Sequence, residues 1–406
     1  MTDQAQPSSG DAPYLAPGRI GCLAIGNRLV RAATSETMAT VEGAVTDALV
    51  KLYSDLARGG AGLLITGHMY VEQGGQCSPR QTGIYSDDLI PGLARLVAAV
   101  HDRGGRIFCE LSHAGSQSVM PDLVPMAPSV VTNAIFARQP REMSEAEIKG
   151  VVAAFSEAAR RAVTAGFDGI HLHGGNGYLI SQFSSPLSNR RNDGWGGDPQ
   201  RRGRFFIDIY DAVRRVVGPD LPITARFGVA DSVADGLQLE EGIARLQALA
   251  ARGLNAVEPS YGLMTTYLEN IRPYVGVGAS RALRDWVLPR LWAPAAPEAY
   301  YRRFAQAAKK ATGIPVILVG GIRSTGVMTE ILRADDADFF AMARPFVREP
   351  DFPNALRAGR RGAVDCVSCN ICLMHDGFDP LQCWRKSATD LAFHAYCRFW
   401  RDRHAT

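Results

Sequence analysis

Short apolar, β-branched runs alternate along this chain with longer stretches of helical periodicity. The runs predict strands near 29–33, 62–66, 106–111, 169–173, 222–227, 256–259, 315–319 and 338–342. Apolar positions at three-to-four spacing predict helices over 89–103, 144–165, 201–217, 239–252, 297–312 and 326–333. The second helix opens with Ser144-Glu-Ala-Glu147, the form of a capping box, in which Ser and Glu each satisfy the other's amide. Eight strand-then-helix units in succession predict an α/β fold, a (β/α)8 TIM barrel. A doubly wound sheet would need a dinucleotide-binding glycine fingerprint at its first turn. The nearest match, Gly276-Val-Gly278-Ala-Ser-Arg281, lacks the third glycine, follows no clear strand and reads as loop.

Three parts are expected: a flexible leader (1–12), a single barrel domain (13–360), and a short cysteine-containing C-terminal segment (361–406). The last ends in an amphipathic stretch, 391–400. A long loop at 260–296 carries Tyr261, Tyr267, Tyr274 and Trp286. It either shapes a substrate pocket or packs a contact between subunits, and a homo-oligomer is the expected assembly.

Composition narrows the class. The 406 residues carry 44 Lys plus Arg against 41 Asp plus Glu, a net charge of +3, with 46% hydrophobic residues. That is an ordinary globular composition. Near-balanced charge offers no reason to expect nucleic acid or an anionic membrane surface as partner. The N-terminus lacks the basic and apolar regions of a signal peptide, and no run reaches the ~20 apolar residues of a membrane span. A cytoplasmic, reducing setting is the expectation. Eight cysteines are too few for a disulfide scaffold, yet Cys366, Cys369, Cys372 and Cys383 crowd into one short segment. Three close thiols and one returning suit a [4Fe–4S] cluster better than paired Cys-x-x-Cys ligands around zinc. Reduced thiols capping the barrel, and zinc, stand as the alternatives.

A barrel places its chemistry at the C-terminal ends of its strands, and the unusual residues fall there. Strand two runs into Thr66-Gly67-His68, strand three into Glu110-Leu-Ser-His113-Ala-Gly115, and strand four into His171-Leu-His173-Gly-Gly-Asn176-Gly-Tyr178. Strand five ends in Arg226, strand seven in Gly320-Gly321-Ile-Arg323, and strand eight in Ala343-Arg344-Pro345. Glycines that admit close backbone approach, with Arg323 and Arg344 as charged donors, read as a phosphate site. Arg226, Arg323 and Arg344 would converge there for an anionic cofactor. His171 and His173 share one strand face; the deeper His171 reads as core. Gly174 and Gly175 let the chain turn so that Asn176 joins His173 as a second N–H donor toward a carbonyl or nitro oxygen. Tyr178 is then a candidate proton donor. A metal-hydrolase reading of His171-x-His173 lacks further ligands and meets a cation at Arg226.

Residues 173–197, from His173-Gly-Gly-Asn-Gly-Tyr178 through Asn192-Asp-Gly-Trp-Gly-Gly197, resemble the signature of the old yellow enzyme family. So do Asn27-Arg-Leu-Val-Arg-Ala-Ala-Thr-Ser35, the strand-three motif and the two phosphate loops. The resemblance runs in order from about residue 15 to 385. It implies a flavin-dependent barrel with FMN across its mouth. Gly320, Gly321, Arg323, Ala343 and Arg344 would hold the phosphate region, Glu110 and Arg226 would meet the pyrimidine edge, and Ala33, Ser35 and Gly67 would line the other side. His173 and Asn176 would bind the substrate oxygen and Tyr178 would deliver a proton. NAD(P)H would reduce FMN, and an activated C=C bond, as in an enone, would be reduced in turn. Position 110 departs from this pattern: ene-reductases usually have Gln there, and a carboxylate should disfavour an anionic reduced flavin. The four cysteines resemble the cluster motif of trimethylamine dehydrogenase and 2,4-dienoyl-CoA reductase. This implies, as the second reading, an iron–sulfur flavoprotein dehydrogenase or demethylase with an external electron-transfer partner.

Overall fold

The computed structural model describes residues 12–133, 135–136, 138–264, 298–375, 377, 379–397 and 400. The expectations for the leader before residue 12, for Gly276–Arg281 and for Tyr267, Tyr274 and Trp286 lie outside the described residues.

Eight parallel strands form the barrel: β1 (Leu29–Arg31), β2 (Leu63–Ile65), β3 (Ile107–Ser112), β4 (Gly169–Gly174), β5 (Ile223–Ala230), β6 (Ala256–Tyr261), β7 (Ile317–Val319) and β8 (Phe339–Met342). Their order is β6-β5-β4-β3-β2-β1-β8-β7, and a parallel bridge between Val257 and Val316 joins the two ends. Helices follow the strands: α1 (Asp47–Arg58), α2 (Ile90–His101), α3 (Glu145–Ala165), α4 (Leu179–Ser184), α5 (Pro199–Val217), α6 (Leu239–Ala250), α7 (Arg302–Thr312), α8 (Thr325–Arg333), α9 (Arg344–Arg348) and α10 (Phe352–Arg357). A last helix, α11 (Ala388–Tyr396), belongs to the cysteine-containing segment.

The core has two layers, as a barrel ringed by helices requires. Val30, Leu63, Ile65, Phe108, Ala256, Ile317 and Phe339 fill the inside, joined by Ile20 and Ile25 of a hairpin (Gly18–Ile20 with Leu23–Ile25) that plugs the N-terminal end. Gly18 is required there, because a Cβ would stand 2.6 Å from the Phe339 ring. The outer layer lies between strands and helices. α3 shows how the sequence builds it: Ser144 Oγ accepts from the Glu147 amide, Glu147 Oε2 accepts from the Ser144 amide at 2.8 Å, and Gly166 ends the helix at φ 89°. Its buried stripe, Ile148, Val151, Phe155, Ala159 and Ala162, faces the sheet.

The C-terminal segment packs onto the open end of the barrel. The Leu381 amide donates to Glu36 O at 2.9 Å, and the Gly377 amide to Thr37 Oγ1 at 3.2 Å. Its helix runs over 388–396, ahead of the amphipathic stretch expected at 391–400. No helix among the described residues is long and apolar enough to cross a membrane.

Candidate active site

The parallel register brings the chemistry-bearing residues of neighbouring strands side by side. Glu110 of β3 pairs with His171 of β4, His173 of β4 with Arg226 of β5, and Arg226 with Glu258 of β6. The result is a row of charged and titratable groups at the mouth. Of these, Glu110, His173 and Arg226 wall a cavity of about 230 Å³ that also takes in Ala33, Ser35, Asn176, Tyr178, Gly320, Gly321, Arg323, Ala343 and Arg344.

Gly67 is the expected barrel site residue that does not line this cavity. Its amide donates to Glu36 Oε1 at 2.7 Å and to the Tyr53 hydroxyl at 2.9 Å, and a Cβ there would collide with the Glu36 carboxylate. Gly67 therefore seats a buried Arg31–Glu36–Tyr53 cluster beneath the wall.

Arg226 is committed as well. Its Nε donates to Glu258 Oε1 at 2.6 Å, and Glu258 is fully buried. Burial lifts the Glu258 carboxyl above its ordinary range in spite of this cation, and Oε2 of Glu258 has no partner among the described residues. Arg226 lines the same cavity as Arg323 and Arg344, and its charge is countered there by Glu258 and Glu110.

Glu110 is 1% exposed, and its Oε1 lies 2.9 Å from His173 Nδ1. Burial pushes its carboxyl up, but the charge and hydrogen bond of His173 and the charge of Arg226 outweigh this and bring it to about 2. His173 Nε2, on the other ring edge, is buried without a partner among the described residues, as is Asn176 Oδ1. Asn176 takes the left-handed conformation (φ 56°) that Asn tolerates. Its amide donates to Tyr261 O at 2.9 Å and its carbonyl accepts from Gln117 Nε2 at 3.0 Å. The Tyr178 ring stands edge-on to His173, with centroids 4.5 Å apart. His171 donates to or accepts from Thr224 Oγ1 through Nδ1 at 2.8 Å, and burial lowers it to about 3, as befits a core residue.

Several further wall residues carry no role assigned from the sequence. His68 is held through Nδ1 by Gln81 Nε2 at 2.9 Å, and burial, then the His173 charge, lower it to about 4. Its signal was its place just past strand two. Gln117 comes from a 3-10 turn (Gly115–Gln117), Met264 and Tyr300 from loops, and Ser368 and Leu373 from the C-terminal segment, where no barrel rule points to them.

Gly320 and Gly321 have φ of 111° and 79°, and a Cβ on Gly320 would stand 2.9 Å from the Tyr300 ring. With Arg323 and Arg344 they make a close-approach cradle of anion-binding type, in which the amides of Arg323 and Ser324, just ahead of α8, donate to Glu298 Oε2 at 2.9 Å. The donor set and the unpartnered polar atoms around the cavity fit an anionic, polar-edged cofactor. The four clustered cysteines line a second cavity of about 90 Å³, whose wall shares Arg344 and Ser368 with the first. Burial, then Cys366 and Cys369, push the Cys372 thiol up to about 12. Among the described residues no three His, Cys, Asp or Glu side chains converge on a single-ion position. A cluster asks for one thiol per iron around a shared space, and these cysteines supply that ligand type.

Residues 14–362 match the profile of a family described as NADH:flavin oxidoreductase / NADH oxidase. An NADH oxidase of Thermoanaerobacter brockii is 36% identical over 360 residues, covering 87% of this chain and 52% of that protein. The chain spans about half the length of the first curated relatives it matches. Morphinone reductase in complex with tetrahydroNAD superposes with a TM-score of 0.69 at 27% identity, covering 88% of this chain and 93% of that one. An old yellow enzyme homologue from Zymomonas mobilis shares the fold, with a TM-score of 0.70 at 23% identity over 88% and 95% of the two chains.

Proposed function

The chain belongs to the NADH:flavin oxidoreductase / NADH oxidase family, that of the old yellow enzymes, and from that premise we propose that it binds FMN, takes hydride from NADH or NADPH, and reduces an activated C=C bond. The observation that carries this is the single cavity joining the β7–β8 cradle to His173, Asn176 and Tyr178.

FMN, when bound, supplies the hydride chemistry. Gly320, Gly321, Arg323, Ala343 and Arg344 hold its phosphate region. Ala33, Ser35, Glu110 and Arg226 face its ring system. His173 and Asn176 bind the oxygen of an enone-type substrate, because negative charge builds on that oxygen as the β-carbon is reduced. Tyr178, packed against His173, delivers the proton to carbon.

Anaerobic stopped-flow work tests the assignment. NADH or NADPH should bleach the flavin-loaded protein, and cyclohexenone should restore the oxidised spectrum. His173→Ala with Asn176→Ala should keep the first step and lose the second by at least about 100-fold. A variant that loses flavin instead would overturn the roles given to these two residues.

A second reading has its own support. Arg344 and Ser368 are common to the wall of the flavin cavity and that of the cysteine cavity, so a [4Fe–4S] cluster held by Cys366, Cys369, Cys372 and Cys383 would lie beside the flavin and exchange electrons with an external carrier. Stoichiometric iron and sulfide in anaerobically purified protein would select it.

A further inference from the structure

The ionised Glu110 carboxylate can only accept hydrogen bonds. At 2.9 Å from His173 Nδ1 it places the ring hydrogen on that nitrogen. A neutral imidazole carries one N–H, so Nε2 is left with a bare lone pair. Nε2 is the atom of His173 that is buried at the cavity without a partner among the described residues. It is therefore not a neutral N–H donor, and it clamps an enone oxygen only as the imidazolium. It either accepts a proton from a ligand or, once protonated, donates as a cation.

The neighbours leave this arrangement in place. Arg226 of β5 is held by Glu258 of β6. His171 of β4 keeps Nδ1 on Thr224, and its Nε2 stands 3.7 Å from Glu110 Oε1. His68, past β2, keeps Nδ1 on Gln81. Tyr178 meets the ring edge-on. Two carboxylates, Glu110 and Glu258, face one arginine in this row, so one further positive charge on His173 brings it to balance.

We propose that Glu110 and His173 form a carboxylate–histidine dyad whose Nε2 exchanges a proton with ligands bearing an acidic oxygen, such as phenols and enols. Such a ligand enters as the neutral acid. Its O–H bond breaks, Nε2–H forms, Glu110 stays ionised on Nδ1–H, and the oxyanion is held against an imidazolium; the total charge is unchanged. The dyad rests on the cavity being the oxygen-ligand site described above, and it names the ligand class that site selects.

The test uses flavin-loaded protein and 4-nitrophenol, which is ionised at pH 9. Calorimetry at that pH in two buffers of different ionisation enthalpy reads the protons taken up on binding. The dyad requires about one per ligand, with affinity falling about tenfold per pH unit on the alkaline side. Glu110→Gln should take up none, and its affinity should level off. A wild type that takes up no proton and shows the same level limb overturns the dyad. If 4-nitrophenol does not bind at any pH, the oxygen-ligand site itself falls. The ¹⁵N shifts of His173, assigned by comparison with His173→Ala, then decide the dyad alone. A hydrogen on Nδ1 sustains it, and a hydrogen on Nε2 overturns it.

Discussion

Glu110 shows what one side chain changes in an otherwise family-like wall. Its carboxyl, held at about 2, is ionised at every working pH. With the flavin bound as proposed, this fixed anion would oppose the negative charge gained on reduction. Arg226 offsets it only in part, because Glu258 shares that cation. Glu110→Gln should therefore raise the flavin potential by on the order of tens of mV, since about 30 mV corresponds to 1.4 kcal/mol for two electrons. Redox titration of the two proteins reads this directly, and equal potentials would show that the carboxylate is electrostatically silent. The Glu at 110 was visible in the sequence as a departure, but its partner was not. That the side chain reaches His173 depends on how β3 and β4 pack around the barrel axis, a non-local fact that no motif encodes. Gly67 stands apart from the cavity for the same reason: its amide is taken by Glu36, thirty-one positions away, through a buried cluster without a sequence signature.

At the scale of elements, the strands were legible because parallel barrel strands are apolar on both faces and stand out as continuous runs. Elements without that contrast went unread. The hairpin at 18–25 has strands of three residues each. α1, by contrast, has a Thr46 cap and buried Leu49, Tyr53 and Leu56 at helical spacing. The helix expected from 297 begins at Arg302, because Tyr300 turns into the cavity wall. The loops after β7 and β8 carry their glycines and arginines where the barrel rule expects a phosphate cradle. Arg344 is the charged side chain there that also contacts the C-terminal segment, donating to Asn370 Oδ1 at 2.5 Å. Loss of a charge-assisted hydrogen bond costs about 1.5–3 kcal/mol. Arg344→Ala should thus weaken FMN binding by about 10- to 100-fold, as read by reconstitution of the apoprotein. Unchanged affinity would move the phosphate off this loop.

For the molecule as a whole, the near balance of 44 basic against 41 acidic residues means that general charge repulsion contributes little near neutrality. Sensitivity to acid should come instead from groups that the barrel buries in their neutral form. His171 and His68 are such groups, at about 3 and about 4 against an ordinary 6.5. Their folded values lie below the unfolded one, so between these limits the unfolded chain binds more protons. Their stabilising contribution is complete above about pH 6.5 and is lost as pH falls toward 3. Glu110 acts in a lower window: its folded value is also depressed, so its contribution is lost only as pH drops from about 4.5 toward 2. Urea unfolding at pH 7 and pH 5 separates the two, because Glu110, at about 2, does not titrate in that interval. Each histidine should remove about 2 kcal/mol across it. His171→Gln will destabilise the fold at both pH values through lost packing. The quantity to compare is the difference between them, which should shrink by about the share of one histidine. A variant whose loss from pH 7 to pH 5 equals that of the wild type would place the acid-sensitive groups outside the barrel interior.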